Sequence, residues 1–288
     1  MTGVVDLSFD PLLTMGGVSL RWDALALVAV LMVAIGVWVL RLHESMGPIL
    51  RFDDVCFVLL SAIPGAVVGG RLVHVLDYAN SYGVQPGTML DLGRGSASLV
   101  GAVVGGALSA AYICRLLGGR VGTWADAAAV PLLLVMGLGK LAILLGGGGQ
   151  GAATDGPLGV AFTGQGPWRS VDAGIPAYPS QALEGAWALL GIPILLVIER
   201  TIRLRGRADR GVALLVAMAW WLGGRTLVAL TWRDDALVGA LGAEGVATLV
   251  ATVIVLLAAV IAWRSPDPKV TPYQTAPGGP GPTGTGDR

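Results

Sequence analysis

The chain has 288 residues, 54% of them hydrophobic and 13% charged, with a formal net charge of zero and a mean hydropathy of +0.72. Soluble domains carry about 25% charged residues, so this composition excludes an ordinary soluble surface and favours a membrane protein. The balanced charge argues against a nucleic-acid partner, because proteins that bind nucleic acid present a surplus of basic residues.

Seven apolar stretches each come close to the length of about 20 residues that crosses a bilayer. In chain order they are residues 23–42, 54–76, 97–117, 127–146, 182–200, 211–231 and 241–263. Residues 265–288 are rich in Pro, Gly and Thr and have no apolar period, which predicts a disordered tail. The sequence therefore predicts an all-α, polytopic membrane protein, with one domain of about seven transmembrane helices over residues 1–264.

The arginines and lysines predict the orientation of these spans. One side of the membrane carries four of them: Arg21, Arg94, Arg169 and Arg233. The other side carries twelve: Arg41, Arg51, Arg115, Arg120, Arg200, Arg203, Arg205, Arg207, Arg210, Arg264, Lys269 and Arg288. Since cytoplasmic loops carry the excess of basic residues, we expect the N-terminus outside the cell and the C-terminal tail in the cytoplasm. The first basic residue is Arg21, so the first span lacks the basic n-region of a cleavable signal peptide.

The two cysteines, Cys56 and Cys114, lie inside apolar stretches. We expect two reduced, buried thiols, because the sequence offers no partners for a disulfide or a metal site. The sequence predicts neither a metal nor a cofactor.

Three basic residues, Arg71, Lys140 and Arg225, lie inside predicted spans. Arg71 is about 25 Å from the cytoplasmic start of its span, and the other two are each about 21 Å along theirs. A cation inside the membrane costs about 3 kcal/mol or more, so it indicates a functional site. Three such cations in the outer half of the bilayer suit an anion, for which a lipid phosphate is the natural candidate. Alternatively, each side chain snorkels to the interface or bonds to helix carbonyls.

Several short stretches resemble those of the bacterial phosphatidylglycerol–prolipoprotein diacylglyceryl transferases. The resemblance extends from about Leu13 to Arg233, and its strength lies in the shared order and spacing of the stretches. They are L-R-W-D at 20–23 (I-R-W-Y in the family), G-G-R-L-V-H-V-L at 69–76 (G-A-R-L-G-Y-V-L), G-S-A-S-L-V-G at 95–101 (G-M-S-F-H-G-G), G-K-L-A-I at 139–143 (G-R-I-G-N), G-G-G-G-Q-G at 146–151 with T-D at 154–155 (A-G-C-C-Y-G…T-D), Y-P-S-Q-A-L-E at 178–184 (H-P-S-Q-L-Y-E) and W-L-G-G-R at 221–225 (Y-x-x-x-R).

The sequence also departs from the family pattern. Leu99, or Ser98 if the register shifts by one, stands at the family's histidine, and Lys140 at its central arginine. The other departures are Ile143 at an asparagine, Gly148 at an acidic or cysteine position, and Asp23 and Trp221 at two tyrosines. The residues retained are Arg71, Pro179, Gln181, Glu184 and Arg225.

The resemblance implies transfer of a diacylglyceryl group from phosphatidylglycerol to the cysteine of a prolipoprotein signal peptide, in the bacterial inner membrane. It implies that Arg71, Lys140, Arg225 and Gly151 bind the lipid phosphate and that Gln181 positions the substrate. Arg225 then also belongs to the catalytic residues. With Leu99 at the histidine position, His74 and Glu184 are the candidate bases.

Other interpretations stay open at this point. His74 could be an interfacial histidine, Glu184 an ion-pair partner of Arg225 or Lys140, and the glycine run 146–151 either a backbone nest for an anion or a turn. Three tryptophans near the outer interface most simply form an aromatic belt: Trp168, Trp221 and Trp232. At the level of function, a non-catalytic paralogue that binds anionic lipid or a signal segment is the main alternative. A small-solute transporter is less favoured, because no repeat is apparent among the spans.

Overall fold

The computed structural model describes residues 4–79 and 97–265. Seven long helices dominate them: α1 Trp22–Met46, α2 Phe52–Asp77, α3 Leu99–Leu116, α4 Val121–Leu144, α5 Ser180–Leu204, α6 Val212–Val228 and α7 Ala243–Arg264. All seven are long and apolar enough to cross a membrane, which confirms the predicted all-α polytopic fold. The predicted tail beyond Ser265, and Arg94 of the charge count, lie outside the described residues.

Four short strands lie at the end of the bundle from which α1 starts, and we call this the head end. Strand β1 (Val5–Leu7) pairs in parallel with β4 (Val160–Phe162), while β2 (Leu12–Met15) and β3 (Val18–Arg21) form an antiparallel hairpin. The opposite end, where α1 ends and α2 starts, is called the basic end. The head end is the side that the sequence predicts to face outward.

Helices α2 and α3 pack with their backbones in direct contact. A methyl group at any one of four glycines would overlap the main chain of the facing helix, in the reciprocal pairs Gly65 with Gly105 and Gly69 with Gly101. Small residues allow such close approach in a membrane, where packing rather than the hydrophobic effect holds helices together. The two helices therefore form a tight hairpin at one side of the bundle.

Helices α5 and α6 are joined by a symmetric pair of tryptophans. The indole nitrogens of Trp187 and Trp220 each donate to the other residue's carbonyl oxygen at 2.8 Å, and the rings stack with centroids 4.8 Å apart. Each ring lies over a glycine of the facing helix, Trp187 over Gly224 and Trp220 over Gly191. Since each glycine follows the tryptophan of its own helix by four residues, the contact fixes the register of the two antiparallel helices.

The main core lies where α4, α5 and α6 meet. Its fully buried members include Leu133, Ala188, Ala217 and Leu222. Both cysteines are free thiols, as predicted, but Cys56 is only half-buried while Cys114 is buried. The three most enclosed helices thus provide a rigid frame, and each of them carries one residue of the site described next.

Candidate functional site

Glu184 is the centre of a buried ionic cluster near the head end. It lies one turn into α5 and is 1% exposed. Its Oε2 accepts from Lys140 Nζ of α4 at 2.9 Å, and both of its oxygens accept from Arg225 Nη1 of α6 at 2.9 Å. Trp221 Nε1 donates to Oε1 at 3.2 Å. Two of the three predicted intramembrane cations therefore meet on one carboxylate, as the ion-pair interpretation expected, instead of snorkelling separately.

Arg225 has a second carboxylate partner that sequence reasoning missed. Its Nη2 donates to Glu244 in the first turn of α7, and Trp232 covers the face of the guanidinium, with its ring centroid 4.6 Å from Cζ. Glu244 starts the last predicted span at the same end of the bundle as Glu184. An acid at that depth was the available signal, although depth alone did not say which helix faces α7.

Arg71 and His74 lie on α2 at the same end of the bundle. Arg71 is buried, and His74 is half-buried, with its ring centroid 4.8 Å from that of Tyr78. His74 lies within electrostatic range of both Arg71 and Glu244. His74 therefore lies close enough to Arg71 and to Glu244, a partner of Arg225, to feel the charge of both.

Gln181 lies one turn before Glu184 on the same face of α5. It is 1% exposed, and neither its amide nitrogen nor its amide oxygen has a hydrogen-bond partner among the described residues. A buried amide without partners costs about 1–3 kcal/mol for each unsatisfied group. This observation suits a site whose polar ligand completes the bonding of the amide.

The glycine run forms a turn that ends α4. The N–H groups of Gly146, Gly147 and Gly148 donate to carbonyls of the last turn of the helix, and the N–H of Gly151 donates to Tyr178 O at 2.8 Å. Gly147 and Gly149 adopt positive φ angles of 77° and 75°. These bonds favour the turn interpretation of the run. Gly151, which we predicted to bind phosphate, uses its N–H for the bond to Tyr178.

At the family's histidine position and at Asp23, the residues of this chain have structural roles. Ser98 caps α3 by accepting from Gly101 N at 3.4 Å, and Leu99 packs against the main core. Asp23 is buried at the start of α1, where it accepts from Arg21 Nε at 2.9 Å and pairs with Arg169. Neither Ser98 nor Leu99 supplies a base.

The aromatic belt was a wrong prediction for Trp221. Trp221 is 1% exposed and bonds Glu184 inside the bundle. Trp168 packs edge-on against Phe9 among the strands and loops of the head. Trp232 lies over Arg225. Counting residues along a span does not give the direction in which a side chain such as that of Trp221 points.

An open cleft of about 470 Å³ lies beside the cluster at the head end, lined by residues that include Asp77, Tyr78, Arg233, Asp234 and Ala243. Burial raises the pKa of Asp234 above its ordinary value, and the nearby Glu244 adds to this effect. Burial likewise raises the pKa of Tyr78. The cleft lies next to the first turn of α7, which carries Glu244, since Ala243 is part of its lining.

Comparisons with known proteins agree with the resemblance seen in the motifs. A family model described as prolipoprotein diacylglyceryl transferase matches residues 11–264. A phosphatidylglycerol–prolipoprotein diacylglyceryl transferase of Leifsonia xyli is 31% identical over 182 residues, 59% of this chain and 53% of that protein, so the chain spans about half of its length. A protein of the same name from Geobacter sulfurreducens is 31% identical over 230 residues, 79% of this chain and 83% of the relative. One from Frankia alni is 29% identical over 267 residues, 90% and 68% respectively.

Proposed function

Because the chain belongs to the prolipoprotein diacylglyceryl transferase family, we propose that it transfers a diacylglyceryl group from phosphatidylglycerol to the cysteine thiol of a prolipoprotein signal segment. It acts in the bacterial inner membrane with its head end outward. The observation that carries this proposal is the pair of cations, the partly buried Lys140 and the buried Arg225, held together at the head end by Glu184.

The reaction needs stabilisation of negative charge. The cysteine sulfur attacks the glyceryl carbon, a C–S bond forms, and the C–O bond to the phosphate breaks. The electron pair stays on the phosphate oxygen, so the charge on the departing glycerol phosphate grows from about −1 to −2. Preorganised cations in a water-poor site stabilise such developing charge strongly. Arg225 offers a planar fork to the phosphate, while Lys140 contributes a point charge.

The reaction also needs an acceptor for the thiol proton, because the thiolate is the nucleophile. Glu184 has both oxygens occupied by cations, so its role is to hold Lys140 and Arg225 in place. His74 is half-buried at the head end, near Arg71 and Glu244. We therefore assign the proton to His74 and keep Glu184 as the residue that positions the two cations.

A second candidate function is a non-catalytic protein that binds the anionic lipid. The observation that favours it is the local role of Ser98 and Leu99, which cap and pack α3 where the family has a histidine. In that case the cation pair would bind lipid without turnover.

The test is turnover of a lipobox peptide by the purified full-length chain in the presence of phosphatidylglycerol. His74→Gln should lower the rate by roughly 10²–10⁴, the usual contribution of a general base. His43→Gln is the matched control, because His43 is the other histidine of the chain and is exposed at the basic end. Lys140→Arg should keep or raise the rate, because it restores a bidentate phosphate contact.

Each result has a distinct meaning. Lipid binding by the wild type without turnover would favour the second candidate. Turnover that survives His74→Gln would show that the assignment of the base is wrong, and a phosphate oxygen of the substrate would then take the proton.

A further inference from the structure

The two carboxylates that hold Arg225 differ in how firmly they are fixed. The Glu184 side chain is 2% exposed and also binds Lys140 and Trp221. The Glu244 side chain is 24% exposed and contacts the guanidinium through one oxygen only, at Nη2. Of the two, Glu244 is therefore the one that can leave while Arg225 stays paired with a buried carboxylate.

Glu244 also leaves half of a binding edge unused. The Nη2 and Nε hydrogens of an arginine point to the same side and form two parallel bonds to a carboxylate or phosphate. Among the described residues, Arg225 Nε is buried and has no hydrogen-bond partner. The Nη2–Nε edge of Arg225, which suits a phosphate, thus donates only one hydrogen bond, and it goes to a carboxylate that is partly exposed.

We infer that Glu244 occupies the lipid phosphate's place in the resting protein and leaves Arg225 when the phosphodiester binds. This inference rests on the proposed function. Two phosphate oxygens would satisfy both Nη2 and Nε, whereas Glu244 satisfies one of them. Glu184 and the ring of Trp232 keep the guanidinium in position during the exchange. The released carboxylate can turn toward the open cleft, which the adjacent Ala243 lines together with Arg233 and three carboxylates.

This exchange makes Glu244 a positioning residue that sets the affinity for the lipid. While it is bound, it shares with Glu184 the neutralisation of the buried Arg225. When it leaves, the local charge becomes more positive at the place where the phosphate arrives. Removing the carboxylate should therefore strengthen lipid binding, the opposite of what the loss of a direct substrate contact would do.

The experiment measures binding of short-chain phosphatidylglycerol to the purified full-length protein. Glu244→Gln should bind the lipid roughly tenfold more tightly than the wild type, because one charge-assisted bond no longer has to be broken first. Asp235→Asn is the matched control: it removes the same charge from an exposed position in the same cleft and should bind as the wild type does. Diacylglycerol, which has no phosphate, should show no gain in either variant.

In steady-state turnover, the same substitution should lower KM for the lipid by a similar factor. A purely structural role of Glu244 would instead lower the melting temperature and leave KM unchanged. Inorganic phosphate should compete with the lipid for Glu244→Gln. If added phosphate does not reduce lipid binding, the assignment of the Nη2–Nε edge of Arg225 to the lipid phosphate is overturned.

The outcomes separate the inference from the function on which it rests. If Arg225→Ala abolishes lipid binding but Glu244→Gln binds no more tightly than the wild type, the inference is overturned and the proposed function stands. If Arg225→Ala and Lys140→Ala both bind phosphatidylglycerol like the wild type, the phosphate site itself is misplaced and both fail.

Discussion

Replacing Glu184 by glutamine should destabilise the protein more than any single change at its partners. The substitution removes the charge that compensates the partly buried Lys140 and the buried Arg225. Breaking a buried ion pair from one side costs about 3–5 kcal/mol. We expect the lower value, about 3 kcal/mol, because the amide oxygen still accepts one bond and because Arg225 keeps Glu244. For a chain of this size this corresponds to a fall in melting temperature of roughly 6–12 °C.

Lys140→Met is the informative comparison, because it leaves Glu184 paired with Arg225 and Trp221. Its cost should be about 1 kcal/mol. The double variant should cost less than the sum of the two single ones, since the uncompensated lysine charge is gone. Thermal unfolding in detergent gives all three values, and Glu44→Gln, an exposed acid at the basic end, serves as the control for charge. If Lys140→Met destabilises as much as Glu184→Gln, the argument from uncompensated cations is wrong.

Three further predictions concern other parts of the molecule. Gly105→Ala should separate α2 from α3 and lower the melting temperature, because its methyl group would overlap the carbonyl oxygen of Gly65; an unchanged melting temperature would contradict the close packing. Asp234→Asn should stabilise the protein at pH 7 and not at pH 3, which thermal unfolding across pH would measure. The pKa of the Asp234 carboxyl is raised in the folded protein, so the stability of the wild type falls as pH rises from the ordinary pKa of about 3.8 through the raised pKa. With the native cysteines replaced, a cysteine at Val171 should react with an impermeant thiol reagent in whole cells and one at Ala208 should not, and the reverse pattern would invert the predicted orientation.

The positions of the helices could be predicted from the sequence, because the length and hydropathy of each apolar stretch determine where a span lies. The fifth span, predicted over residues 182–200, is realised as α5 over Ser180–Leu204. The largest difference is at α4, which begins at Val121 instead of residue 127. The added residues include Thr123 and Trp124, which are buried, so tertiary packing extends the helix beyond its most apolar part.

The sequence predicted the depth of the site along the helix axes but not all of the contacts between its side chains. The similar depth of Arg71, Lys140 and Arg225 was apparent from helix arithmetic, and the pairing of Glu184 with Arg225 or Lys140 was one of the alternatives. The contact between Arg225 and Glu244 was not apparent, because it depends on the rotation of α7 against α6. Rotation about a helix axis is set by packing against neighbours, and a sequence with apolar residues all around each span carries little information about it.

The paired tryptophans of α5 and α6 have a spectroscopic consequence. Two indoles at 4.8 Å with planes 16° apart are close enough for their electronic transitions to couple, so this pair should contribute a signed doublet to the circular dichroism of the folded protein. The signal depends on the register between the two helices that carry Glu184 and Arg225. The protein thus contains an intrinsic optical reporter of whether these two helices slide past each other when a lipid binds, and no label is needed to read it.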